Sequence, residues 1–343
     1  MILAYLTVGV LWLAIIAYAV LGGVNFGGGI WDLLASGLTK LRQRRLVDTA
    51  IGPTWEVNHL WLIFLILGLF FAFPLAFTVL ADALFAPFIL ALIGVALRGA
   101  AFALHLRAPR ATRIRAIGGR TFSAASTITP FLLGACAAAI ASGGIRWQNG
   151  HVLTDLWTLW TAPFALTIGA MAVSLCATLA AIYLTVEAEQ ATDGDVMVAF
   201  RVRAIIAGAV TAFFGLLGLI QAPFAAPLLW EGMLGHALPA ILGAMLIGLC
   251  AGAVLLFHQH QLARALIILE TACLLGAWGL AQLPYLIPPD VTVTNAAASD
   301  TTLVALLIGT AIGLVLLLPT LWLLFRAFKG RSSAPPVKPP GEP

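Results

Sequence analysis

The chain has 343 residues, of which 62% are hydrophobic and only 9% charged, and its mean hydropathy is +1.04. Soluble domains carry about 25% charged residues, and no water-soluble fold of this length hides so much apolar surface, which excludes a soluble enzyme and points to a polytopic membrane protein. The net charge of +4 lies in short inter-helix segments, so it reads as a topology signal and implies no nucleic acid partner.

Continuous apolar runs near twenty residues predict an all-α protein with nine transmembrane helices. They lie at about 2–23, 51–71, 76–106, 121–142, 159–185, 202–220, 237–257, 264–283 and 302–326. A barrel is excluded, because its strands would alternate. The third and fifth runs exceed a bilayer's thickness and are expected to tilt or project. The first, MILAYLTVGVLWLAIIAYAV, lacks a cationic start and a small-residue cleavage site, and is expected to remain as a helix.

Sixteen of the 18 Lys and Arg fall in alternate loops: 40–45, 107–120, the segment with Arg201 and Arg203, Arg264, and the tail. Arg146 stands alone in the opposite loops and Arg98 lies inside a span. The positive-inside rule then puts the N-terminus outside and the C-terminus in the cytoplasm. Residues 1–330 read as a single transmembrane domain, and the proline-rich 331–343 as a flexible cytoplasmic tail. Cys136, Cys176, Cys250 and Cys273 sit singly in apolar runs, as small buried hydrophobes rather than disulfide or zinc partners.

Ionisable groups inside a bilayer cost about 2.5–3.5 kcal/mol each on insertion scales, so each needs a partner or a purpose. At 1.5 Å per residue, Glu56 lies roughly 7–8 Å below the cytoplasmic end of its span, Glu270 about 9 Å and Arg98 about 12 Å. Three readings of this shared depth are open: a Glu–Arg pair locking two helices, a proton-conducting or quinone-adjacent site, or an Arg98 that reaches the interface alone. Trp55, Asn58, His59 and Leu62 share one helix face, and Glu56 meets His59 at i, i+3. No second histidine completes a two-histidine metal or haem site. The glycines of LGGVNFGGGIWD, residues 21–32, suit close helix packing.

The stretch GPTWEVNHLW, 53–62, resembles the GPxWExNxxWL signature of subunit II of cytochrome bd-type quinol oxidases. In the same order along the chain, LGGVNFGGG resembles that family's DGFDLGxG, LRGAAF its LRGxxF, and YLIPPDVTVTNAAASDTTL its outer loop before the ninth helix. The resemblance covers essentially the whole chain. It implies a haem-free subunit that binds no cofactor or metal itself, in a bacterial cytoplasmic (inner) membrane. Its partner would be a larger subunit I carrying haems b and d, or b alone, with small single-helix accessory subunits and membrane lipid around them. The complex would oxidise quinol and reduce oxygen to water with protons from the cytoplasm.

By matching position, the resemblance makes Glu56 a proton-path residue, with His59 beside it. It makes Trp61 part of an oxygen route, and Trp55, Asn58 and Arg98 polar residues of one helix junction, to which Glu270 is added by depth. The sequence departs from the pattern where the family's two aspartates fall on Gly22 and Asn25, which exchange no proton at neutral pH. Two rivals compete: a proton-coupled transporter using Glu56, Arg98 and Glu270, and an assembly scaffold of another membrane complex.

Overall fold

A computed structural model describes the backbone of residues 1–51, 55–107, 113–155 and 157–331. Within helices, the side chains of 51, 55–57, 102–107, 113–116, 318, 321, 322 and 324–331 are outside the description. The expected tail beyond 331 and the side chains of Trp55 and Glu56 therefore lie outside the described residues. Among the described residues, thirteen helices and two small hairpins follow one another. They are α1 (Ile2–Leu33), α2 (Lys40–Ile51), α3 (Trp55–Ala72), α4 (Pro74–Ala83), α5 (Phe85–Arg107), α6 (Arg113–Ala141), β1 (Trp147–Gln148), β2 (His151–Val152), α7 (Pro163–Gln190), α8 (Gly194–Ala225), α9 (Pro227–Leu234), α10 (Leu238–Leu256), α11 (His260–Gln282), β3 (Tyr285–Ile287), β4 (Val291–Thr292), α12 (Val293–Ala296) and α13 (Asp300–Arg331).

The architecture is that of an all-α polytopic membrane protein. Seven described helices (α1, α6, α7, α8, α10, α11 and α13) are long and apolar enough to cross a bilayer, and α3 with α4 makes an eighth if the bent pair is one span. The expected third span is corrected. Its first part is the separate helix α4, bent by 117° from α3. Pro74 causes the break: it has no N–H to continue α3 and begins a new helix at its first turn. The rest of that run is α5, a separate helix of 23 residues, about 35 Å long. The fifth span also starts later than expected, at Pro163, and runs on to Gln190.

α1 runs the full 32 residues, through all its glycines. Each glycine weakens a helix by about 1 kcal/mol relative to alanine, but here packing requires the missing side chains. A Cβ on Gly27 would strike the Cys176 backbone of α7, and one on Gly29 would strike Ser126 of α6. α1 thus lies in close contact with both, and Trp31 fixes the register by donating its indole N–H to the Ala177 carbonyl at 2.8 Å.

The basic residues of α2, α8 and α11 meet at one end. Arg42 of α2 pairs with Asp193 and Asp195 at the α7–α8 turn (2.9 and 2.8 Å), and Arg44 with Asp32 at the end of α1 (3.2 Å). Arg203 donates to Gln43 at 3.0 Å, and His260 faces Glu189 at 3.1 Å. The hairpins β1–β2 and β3–β4 form at the opposite end, tied by Arg146 to Asp290 at 3.2 Å, while Ala298 N–H donates to the Ala72 carbonyl at 2.8 Å.

Candidate functional site: a polar cavity between three helices

Helical spacing brings three faces together. Tyr18 and Phe26 of α1, Asn58, His59 and Leu62 of α3, and Val95 and Arg98 of α5 line a cavity of about 10 Å3. That is the lower limit for one water molecule. Gly22 shapes its wall: a Cβ there would lie 3.0 Å from the Asn58 amide, so the missing side chain leaves that amide its place. Asn58 is 2% exposed, and its Oδ1 accepts no hydrogen bond among the described residues.

Arg98 closes one side, also 2% exposed. Its Nε donates to Ser126 Oγ at 3.0 Å and its Nη2 to the Asn25 carbonyl at 2.8 Å. The guanidinium carbon lies 4.6 Å from the centre of the Phe26 ring and 5.0 Å from that of Phe122. Among the described residues these partners are neutral: a hydroxyl, a carbonyl dipole and two ring faces meet the cation.

A second polar group continues from there toward the basic end. Ser123, three residues before Ser126 on α6, donates to Asp32 Oδ2 at 3.2 Å, and Asp32 in turn meets Arg44. Asp32, Ser123, Ser126 and Tyr18 were not singled out by sequence reasoning. Only the i, i+3 spacing of the two serines signalled a shared face.

Of the residues singled out from sequence, the structure unites Asn58, His59 and Arg98 at the cavity. Trp61 sits half-buried on α3 and does not line it. Glu270 is elsewhere, on α11 against Gly248 of α10, where a Cβ would contact its carboxylate. The transporter constellation of Glu56, Arg98 and Glu270 is therefore not gathered at this cavity. Trp55 and Glu56 open α3, one turn before Asn58, with side chains outside the described residues.

The family described as cytochrome bd terminal oxidase subunit II matches residues 3–328. The chain belongs to that family. It is 24% identical over 334 residues to a putative cytochrome bd menaquinol oxidase subunit II of Bacillus subtilis (strain 168), covering 95% of both chains. Over 129 residues it is 30% identical to the cytochrome bd ubiquinol oxidase subunit 2 of the same organism, covering 36% of this chain and 37% of that one. Its fold is similar to a chain of the bd oxidase from Geobacillus thermodenitrificans, with a TM-score of 0.80, 23% identity, and coverage of 96% of this chain and 99% of that one. As a cytochrome bd subunit II the chain is part of a quinol oxidase complex, an oxidoreductase, and the family assignment does not favour the transporter reading.

Proposed function

We propose that this chain is the haem-free subunit II of its quinol:oxygen oxidoreductase, lining proton and oxygen routes to haems held by a larger subunit I. Its place is a bacterial cytoplasmic membrane, crossed nine times with the N-terminus outside. The haems, b and d or b alone, supply the oxygen chemistry in the partner, and small accessory helices and lipid complete the complex. This chain contributes shape, dipoles and proton-carrying groups.

The observation that carries the proton role is the buried cavity between α1, α3 and α5, where Asn58 Oδ1, beside His59 and Arg98, has no partner among the described residues. A lone acceptor buried in a water-sized space favours a bound water, and such a water can pass a proton. Glu56 lies at i−3 from His59 on the same helix, at the side from which protons enter. In this reading Glu56 and His59 hand protons to the cavity, Trp61 borders the oxygen route, and Trp55, Asn58, Arg98 and Glu270 hold helix junctions.

The test is a complex purified through a tag on this chain. Haem bands and an equally abundant larger subunit are expected. Glu56→Gln should keep haem content and lower oxygen consumption per haem by about tenfold or more, since a positioned proton-transfer group typically contributes 10²–10⁴-fold. Loss of haem with unchanged turnover per remaining haem would make Glu56 structural instead.

A further inference from the structure

We propose that Glu270 is a docking point for another chain of the complex: it receives a lysine or arginine carried by a transmembrane helix that lies along α10 and α11. The inference goes beyond the proton role proposed above and rests only on the chain's place in a membrane complex.

A carboxylate inside a bilayer is costly unless something answers its charge. Glu270 stands six residues past Arg264 and twelve before Gln282, the last residue of α11. About 9 Å of helix therefore separates it from the basic end and about 18 Å from the other. Lipid head groups lie outside the hydrocarbon core, so their amines do not meet it at that depth. Nearer the basic end, the ionisable groups of α11 are answered within the chain: Arg264 faces Glu187 at 3.7 Å and His260 faces Glu189 at 3.1 Å. Glu270 has no hydrogen bond or ion pair among the described residues.

The carboxylate is also open to an outside partner. Glu270 is half-buried, and neither of its oxygens is sealed inside the chain. It lies over α10 at Gly248, where an added Cβ would fall 2.5 Å from Oε1 and 3.4 Å from Oε2. A side chain there would drive the carboxylate away, so the glycine keeps it beside α10. Gly248 lies at the edge of an exposed strip of α10 formed by Met245, Leu249, Gly252 and Leu256 at three- and four-residue steps. At Gly252 an added Cβ would meet nothing within 4 Å. A second helix laid on this strip can approach closely there, as small residues allow in membranes, and bring a side chain to Glu270.

Charge decides the occupant. A wholly apolar helix would cover the carboxylate and leave it unanswered, whereas lysine or arginine supplies the opposite charge and donates to its oxygens. A second copy of this chain does not fit. Its described interior arginine, Arg98, is 2% exposed and held by Ser126 and the Asn25 carbonyl.

The test treats the complex, purified in mild detergent, with dicyclohexylcarbodiimide, a hydrophobic reagent that activates carboxyl groups. Attack by a lysine amine on activated Glu270 forms an amide and releases dicyclohexylurea. Mass spectrometry is expected to find Glu270 joined to a lysine of a second membrane chain. Opposite an arginine, Glu270 should instead stay unmodified in the complex and take up the reagent once a harsher detergent separates the chains. Equal modification in both states, without a cross-link, overturns the docking role. Two variants decide where the reagent does not reach. Gly252→Leu meets nothing in this chain, so it folds, but it obstructs the strip; Glu270→Gln keeps the shape and removes the charge. Both should lower retention of the second chain, Glu270→Gln by about tenfold or more. A full set of subunits in both variants overturns the proposal. Haem bands of the native complex, read in the same preparation, test the oxidase-subunit reading separately, so failure of one is distinguishable from failure of the other.

Discussion

Arg98 carries five N–H donors into the buried interior on α5, and its described hydrogen-bond partners are a hydroxyl and a backbone carbonyl on two different helices. The planar guanidinium reaches both while lying near the Phe26 and Phe122 rings, which a lysine ammonium cannot reproduce. Arg98→Lys keeps the charge, yet it is expected to lower the yield and thermal stability of the complex. Native yield and melting temperature would show that charge alone is enough. Gly27 makes the complementary point about space. Its Cβ would fall on the Cys176 backbone, which cannot swing away as a side chain can. Gly27→Ala should therefore destabilise by about 1–3 kcal/mol, as overpacked cores do, read as a lower melting temperature of the purified complex.

Among the elements, the α7–α8 turn shows how one loop residue serves two purposes. Asp193 caps α8 by accepting from Val196 N–H at 3.3 Å and also pairs with Arg42, whereas the more exposed Asp195 only pairs. Loss of a cap costs about 1 kcal/mol and an exposed pair typically less. Asp193→Ala should thus lower the melting temperature more than Asp195→Ala; equal shifts would remove the cap from the argument. Elements also differ in how far the sequence revealed them. The long apolar runs were legible because a bilayer demands length and apolarity together. α2 was not, because KLRQRR has the composition of a basic loop, although Val47 turns inward to pack near Ile30 and Trp31. The separate α4 was hidden because hydropathy runs unbroken through Pro74, although proline is a helix boundary signal. In the cavity, the Asn58–His59–Leu62 face followed from spacing within one helix. The Asp32–Ser123 link depends on the register between α1 and α6, which no single-helix periodicity encodes.

At the scale of the whole molecule, the two ends differ in chemistry. Arg42, Arg44, Arg203, His260 and Arg264 converge with the acidic α7–α8 turn at one end, and the two hairpins close the other. Since basic loops tend to be retained in the cytoplasm, the expected arrangement puts the basic end in the cytoplasm and the β1–β2 hairpin outside. Cysteines placed at the two ends test this directly. Gly150→Cys, in the turn of the β1–β2 hairpin, should react with a charged, membrane-impermeant maleimide on intact cells. Thr192→Cys, in the α7–α8 turn, should react only after the membrane is opened. Both positions are exposed, so lack of reaction reports sidedness rather than burial. Labelling of Thr192→Cys alone on intact cells would invert the protein, place the start of α3 with Glu56 at the outer face, and remove cytoplasmic proton entry past Glu56.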